Sequence, residues 1–85
     1  MTRHLGWKNY PTWVVSRWLL NDENTYNHLR AMAREIGNEA ELARGIKNFV
    51  EENVPASAGA SMYADLLREV LSEVDWFEIA RAFTE

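Results

Sequence analysis

The sequence predicts an all-α protein, a compact bundle of about five short helices in one 85-residue domain. Three observations predict it. Apolar residues recur three and four apart in five segments, the spacing of one helix face. Short clusters of Asn, Asp, Gly and Pro separate those segments and act as caps and breakers. No stretch alternates apolar and polar residues over the length of a strand.

The first helix is expected over about Pro11 to Asn21, because proline at the first turn loses no hydrogen bond and Asn9 or Tyr10 can flank the start. Trp13, Val14, Arg17 and Trp18 line one side, and Val15 and Leu19 widen the apolar stripe. An aromatic stripe at this spacing is usually core, so Trp13 and Trp18 are expected inside. Asn21, Asp22 and Asn24 supply a turn and a new N-cap. The second helix then runs to about Ile36 on Tyr26, Leu29, Ala33 and Ile36, with Gly37 as its stop.

A third helix spans about Glu39 to Asn53, turns Leu42, Ile46, Phe49 and Val50 inward, and is ended by Pro55. Ala56 to Ala60 is linker-like but too short to divide domains. The fourth helix, roughly Ser61 to Ser72, carries the cleanest stripe, through Tyr63, Leu66, Leu67, Val70 and Leu71, with Val74 just beyond. Asp75 followed by Glu78 resembles a capping box, which opens a last helix bearing Trp76, Ile79, Ala80 and Phe83.

Composition narrows the function. With no cysteine there are no disulfides, thiolate nucleophiles or cysteine zinc sites. No apolar run reaches the length of a membrane span, and Met1 to Leu20 lacks the apolar core of a secretion signal, so a soluble cytoplasmic protein is expected. Residues 1–20 carry Arg3, Lys8 and Arg17 and no acid, while the net charge is −4, so the body is acidic. That argues against general nucleic-acid binding. An excess of this size suits solubility alone, and it also suits docking on a basic partner.

The residues that carry chemistry are sparse. His4 and His28 stand in unrelated contexts, and adjacent Glu51 and Glu52 point apart on a helix, so no metal site is expected. No serine sits in a nucleophile elbow, and no glycine-rich phosphate loop is present, so neither an enzyme nor a cofactor is expected. Arg44 and Lys47 read as solvated helix charges. Trp7, ahead of the first helix, is the indole most available to a partner, with Tyr10 beside it.

Between Gly6 and Asp22 the run GWKNYPTWVVSRWLLND resembles a signature of small uncharacterised proteins of phages, plasmids and related mobile elements, N-Y-x-T-W-x-V-x-x-W-x-x-N-D. Asn9, Tyr10, Thr12, Trp13, Val15, Trp18, Asn21 and Asp22 match it, and Pro11 stands where many relatives have glutamate. The match covers about a fifth of the chain, and Val74 to Ala80 is more weakly similar to the family's last helix. The resemblance supplies no catalytic residues.

What it implies is a context in which small acidic proteins bind host proteins, as anti-CRISPR and anti-restriction inhibitors do. The leading expectation is therefore a non-enzymatic phage or mobile-element protein that inhibits a host defence protein or CRISPR effector complex in the host cytoplasm. It would do so by occupying a nucleic-acid-binding or assembly surface. Expected contacts are Trp7, Tyr10 and Arg17 at the aromatic end, or Glu39, Glu41, Glu51 and Glu52 on the third helix. Two alternatives stand beside it. One is a small structural or homodimeric accessory protein with all its aromatics internal. The other is a nucleic-acid binder that uses the N-terminal aromatic and basic segment.

Overall fold

Four helices of this chain begin where a side chain (Asn9, Asp22, Asn38 or Asp75) takes over a backbone N–H that the helix itself leaves unpaired. A computed structural model describes residues 5–53 and 62–84 and contains five helices: α1 (Tyr10–Asn21), α2 (Glu23–Glu35), α3 (Glu39–Glu52), α4 (Met62–Ser72) and α5 (Trp76–Thr84). Arg3, His4, Pro55, the Ala56 to Ala60 stretch and Ser61 lie outside the described residues. The all-α bundle is the architecture expected from the periodicity.

Asn9 caps α1 by accepting the Thr12 N–H at 2.9 Å, and Pro11 occupies the first turn. Asp22 ends α1 and caps α2 in the same stroke, accepting from the Thr25 N–H at 3.0 Å and the Thr25 hydroxyl at 2.6 Å. Asn38 does the same for α3 through the Glu41 N–H at 3.0 Å. Asp75 caps α5 by accepting the Glu78 N–H at 3.1 Å. The expected capping box is only half formed, because the Asp75 N–H goes to the Thr12 hydroxyl at 2.9 Å and Glu78 reaches the Lys8 N–H at 2.8 Å.

Leu29, Leu42, Ile46, Ile79 and Phe83 are the fully buried centre, where α3 and α5 pack most extensively and α2 closes one side. Each large side chain here leaves water by an amount that contributes about 1.5–3 kcal/mol. Arg30 of α2 donates to the Phe83 carbonyl at 2.7 Å and so satisfies an orphan acceptor at the C-terminal end of α5. Where α3 crosses α2, a Cβ at Gly45 would lie 3.0 Å from the Met32 sulfur. A left-handed turn at Leu5 (φ 49°) and Gly6 (φ 90°) precedes Trp7, which packs against the core.

Two expected packing faces are corrected. On α1 the buried side chains are Thr12, Ser16 and Leu19, not the stripe of Trp13 and Trp18. Trp13 is half-buried and Trp18 is 73% exposed. On α4 only Ala64 and Leu71 are buried and Leu67 is partly so, whereas Tyr63, Leu66 and Val70 face solvent. This helix touches the others least of the five.

Candidate protein-binding face

The roll of α1 decides which side chains it offers, and hydroxyl chemistry decides the roll. Thr12 is fully buried because its hydroxyl donates to Asn9 Oδ1 at 2.6 Å while accepting the Asp75 N–H. Asn9 Nδ2 in turn donates to the Glu73 carbonyl at 2.8 Å. Ser16 is buried one turn later with its hydroxyl on the Trp13 carbonyl at 2.8 Å. No buried side-chain nitrogen or oxygen among the described residues lacks a partner, so burying this polar side leaves no unmade hydrogen bond. The clasp pins α1 to the segment entering α5 and turns the aromatic side outward.

Tyr10, Val14, Arg17 and Asn21 occupy the middle of that outer face at helical spacing, with Trp13 and Trp18 on its two flanks. Tyr10 is 59% exposed and its ring centroid lies 5.7 Å from that of Trp13. The Arg17 guanidinium carbon sits 5.4 Å from the centre of the Trp13 ring, a cation–π distance that stiffens an otherwise mobile cation. The face therefore presents aromatic area at low conformational cost together with one oriented charge.

Trp18 lines a cleft of about 490 Å³ together with Leu19, Asp22, Thr25, Phe49, Val50 and Asn53. Two hydrogen bonds from Thr25, the hydroxyl first and the backbone N–H second, hold the Asp22 carboxyl at its rim below the ordinary aspartate value. The rim is thus negative and the floor apolar, beside an exposed indole.

The remaining expected contacts fall elsewhere. Trp7 is half-buried and packed against the core, so it is Trp18 that stands freest in solvent. Tyr10 and Arg17 share the outer face of α1. Glu39 is ion-paired with Arg81 at 3.3 Å, and it opens α3 with Glu41 near the positive end of the helix dipole. Glu51 and Glu52 lie exposed at the other end, about 18 Å away along the axis. Arg44 and Lys47 fall between the two pairs, so the four glutamates make no continuous acidic strip. Among the described residues, no three His, Cys, Asp or Glu side chains converge as metal donors, and no helix is long and apolar enough to cross a membrane.

The exposure of Trp18 had one signal in the sequence: Thr12, Ser16 and Leu19 form a second stripe at helical spacing, one that small hydroxyl residues can bury once bonded. No family model, no curated protein and no solved structure matches the chain.

Proposed function

We propose that this chain is a non-enzymatic protein-binding module of a phage or mobile element, and that it engages its partner through the outer face of α1. The observation that carries the reading is Trp18, 73% exposed on a face it shares with Tyr10, Trp13 and Arg17. Leaving such a ring in water forgoes roughly 2–4 kcal/mol of burial, which docking can realise. Trp, Tyr and Arg are also the residues enriched where interface energy concentrates. The cleft beside Trp18 gives a partner side chain a place to insert.

The class of partner rests on the resemblance of the Gly6 to Asp22 run to mobile-element proteins. On that basis the target is a host defence complex, a CRISPR effector, whose nucleic-acid-binding or assembly surface the module occupies. The experiment is to mix the purified chain with the purified effector and follow target-DNA binding and cleavage. Inhibition by the parent and its loss in Tyr10→Ala/Trp18→Ala, with helix content unchanged, is the expected result. Unchanged effector activity with the parent protein removes this target, and inhibition that survives the double variant removes the α1 face.

A homodimeric accessory protein is the second reading; its aromatics are not all internal as expected, since Tyr10, Trp18, Tyr63 and Phe77 are exposed, and it is favoured instead by Met62, Tyr63, Leu66 and Val70 exposed on α4. Sedimentation distinguishes it: a monomer at high concentration ends that reading, and a dimer dispersed by Leu66→Glu supports it.

A further inference from the structure

A second concavity lies on the opposite kind of surface, cationic where the chain as a whole is acidic. About 680 Å³ of open space is bounded by Lys8, by Arg44 and Lys47 of α3, and by Trp76, Phe77 and Arg81 of α5. Its volume falls within the roughly 300–1,000 Å³ typical of small-ligand sites. Ala40, Ala43 and Val74 complete an apolar floor, so side-chain bulk does not fill it.

Three of the four cations on its lining, Lys8, Arg44 and Lys47, keep their charge unpaired among the described residues, while the fourth, Arg81, is paired with Glu39. No carboxylate among the described residues pairs with Lys8, Arg44 or Lys47. Asp75 is the one acid on the lining, and its Oδ1 accepts the Glu78 N–H. The nearby Glu78 carboxylate accepts the Lys8 N–H, and Glu39 pairs with Arg81. Arg44 and Lys47 stand three residues apart on α3, which puts their Cβ atoms about 5–6 Å from each other and lets both reach one anion. Phe77 is 47% exposed and Trp76 half-buried, so the cations adjoin accessible ring surface.

We propose that this concavity binds a nucleotide unit, with its phosphate on Arg44 and Lys47 and its base against Phe77 and Trp76. Cations beside aromatic rings match a ligand that carries a phosphate and a flat ring together. A carboxylate-bearing peptide would use the cations and leave the rings idle. The acidic remainder of the chain selects against a long strand, because phosphates beyond the cavity would meet glutamates within a Debye length of about 8–10 Å. The unit is therefore a free nucleoside monophosphate or the phosphorylated end of a strand. It is carried by α3 and α5, so it stands or falls apart from the α1 face.

The test is a titration of the isotope-labelled full chain, followed by NMR, with adenosine 5′-monophosphate, a short 5′-phosphorylated single-stranded oligonucleotide, inorganic phosphate and a polyglutamate peptide. The expected result is that one or both nucleotide probes shift the resonances of Arg44, Lys47 and Phe77, and more tightly than phosphate does. Adenosine monophosphate alone places the source in free nucleotide, and the oligonucleotide alone places it at a strand end. Arg44→Glu with Lys47→Glu should weaken binding at least about tenfold, the loss of charge-assisted hydrogen bonds. Phe77→Ala should weaken it about tenfold by removing stacking. All three residues are exposed, and circular dichroism verifies that the variants stay helical. Silence from both nucleotide probes overturns the proposal. So does polyglutamate or phosphate binding as tightly as nucleotide, or nucleotide binding that the double variant leaves intact.

Discussion

The Thr12 hydroxyl accepts the Asp75 N–H at 2.9 Å across 63 residues of sequence, joining the start of α1 to the start of α5. Together with the bonds from Asn9 Nδ2 to the Glu73 carbonyl and from the Lys8 N–H to Glu78, it fixes where the two helices lie relative to each other. Thr12→Val keeps the shape and deletes the hydroxyl, leaving the Asp75 N–H and Asn9 Oδ1 each one partner short. Unfolding by urea should show a loss of about 1–3 kcal/mol, the cost of unmade buried hydrogen bonds. Thr12→Ser should retain most of the stability, and equal stability of the valine and threonine forms would mean that the clasp does not hold α1.

Neighbouring apolar residues on α1 should behave oppositely. Leu19→Ala empties a buried site and should cost about 2–5 kcal/mol. Trp18→Ala should stay within about 0.5 kcal/mol of the parent, as exposed substitutions do. Denaturant midpoints check both. A large loss at Trp18 would contradict the outward roll of α1.

Acid should loosen the joint between α1 and α2. The Asp22 carboxyl titrates below its ordinary value because Thr25 bonds to the charged form. A depressed folded value gives stability that is present above the unfolded aspartate pKa and lost as pH falls through the folded one. Asp22→Asn should therefore be less stable than the parent at neutral pH, and the gap should close on acidification. Parallel thermal midpoints of the two proteins across pH measure this, and a constant gap would refute it.

Gly45 of α3 lies against the Met32 and Ile36 side chains at the end of α2. Alanine there regains about 0.8–1 kcal/mol of helix propensity but meets the Met32 thioether at 3.0 Å. Met32 can swing aside, so Gly45→Ala should be nearly neutral. Gly45→Leu overfills the crossing and should cost about 1–3 kcal/mol in denaturation.

Amide hydrogen exchange should rank α4 as the least protected of the helices, since it has the fewest tertiary contacts. Protection of α4 equal to that of α3 and α5 at micromolar concentration would point instead to a partner surface already covering Tyr63, Leu66 and Val70.

Local chemistry was legible from the residues alone. Asn9, Asp22 and Asp75 cap because short polar side chains reach their own next turn, and Pro11 starts a helix for the same local reason. The inward faces of α2, α3 and α5 were legible too, because each is strongly one-sided and its buried Leu29, Leu42, Ile46, Ile79 and Phe83 follow the helical period. Tertiary structure alone decided the roll of α1, the least one-sided of the five helices, which carries Trp13, Val14, Val15, Trp18 and Leu19 nearly all around. With apolar side chains on most sides, burial energy hardly distinguishes the possible orientations, and the bond that Asn9 donates to the Glu73 carbonyl and the one that Thr12 accepts from the Asp75 N–H choose one. The same holds for the cations Lys8, Arg44, Lys47 and Arg81, which meet only because α3 packs on α5 and the Lys8 N–H is held by Glu78.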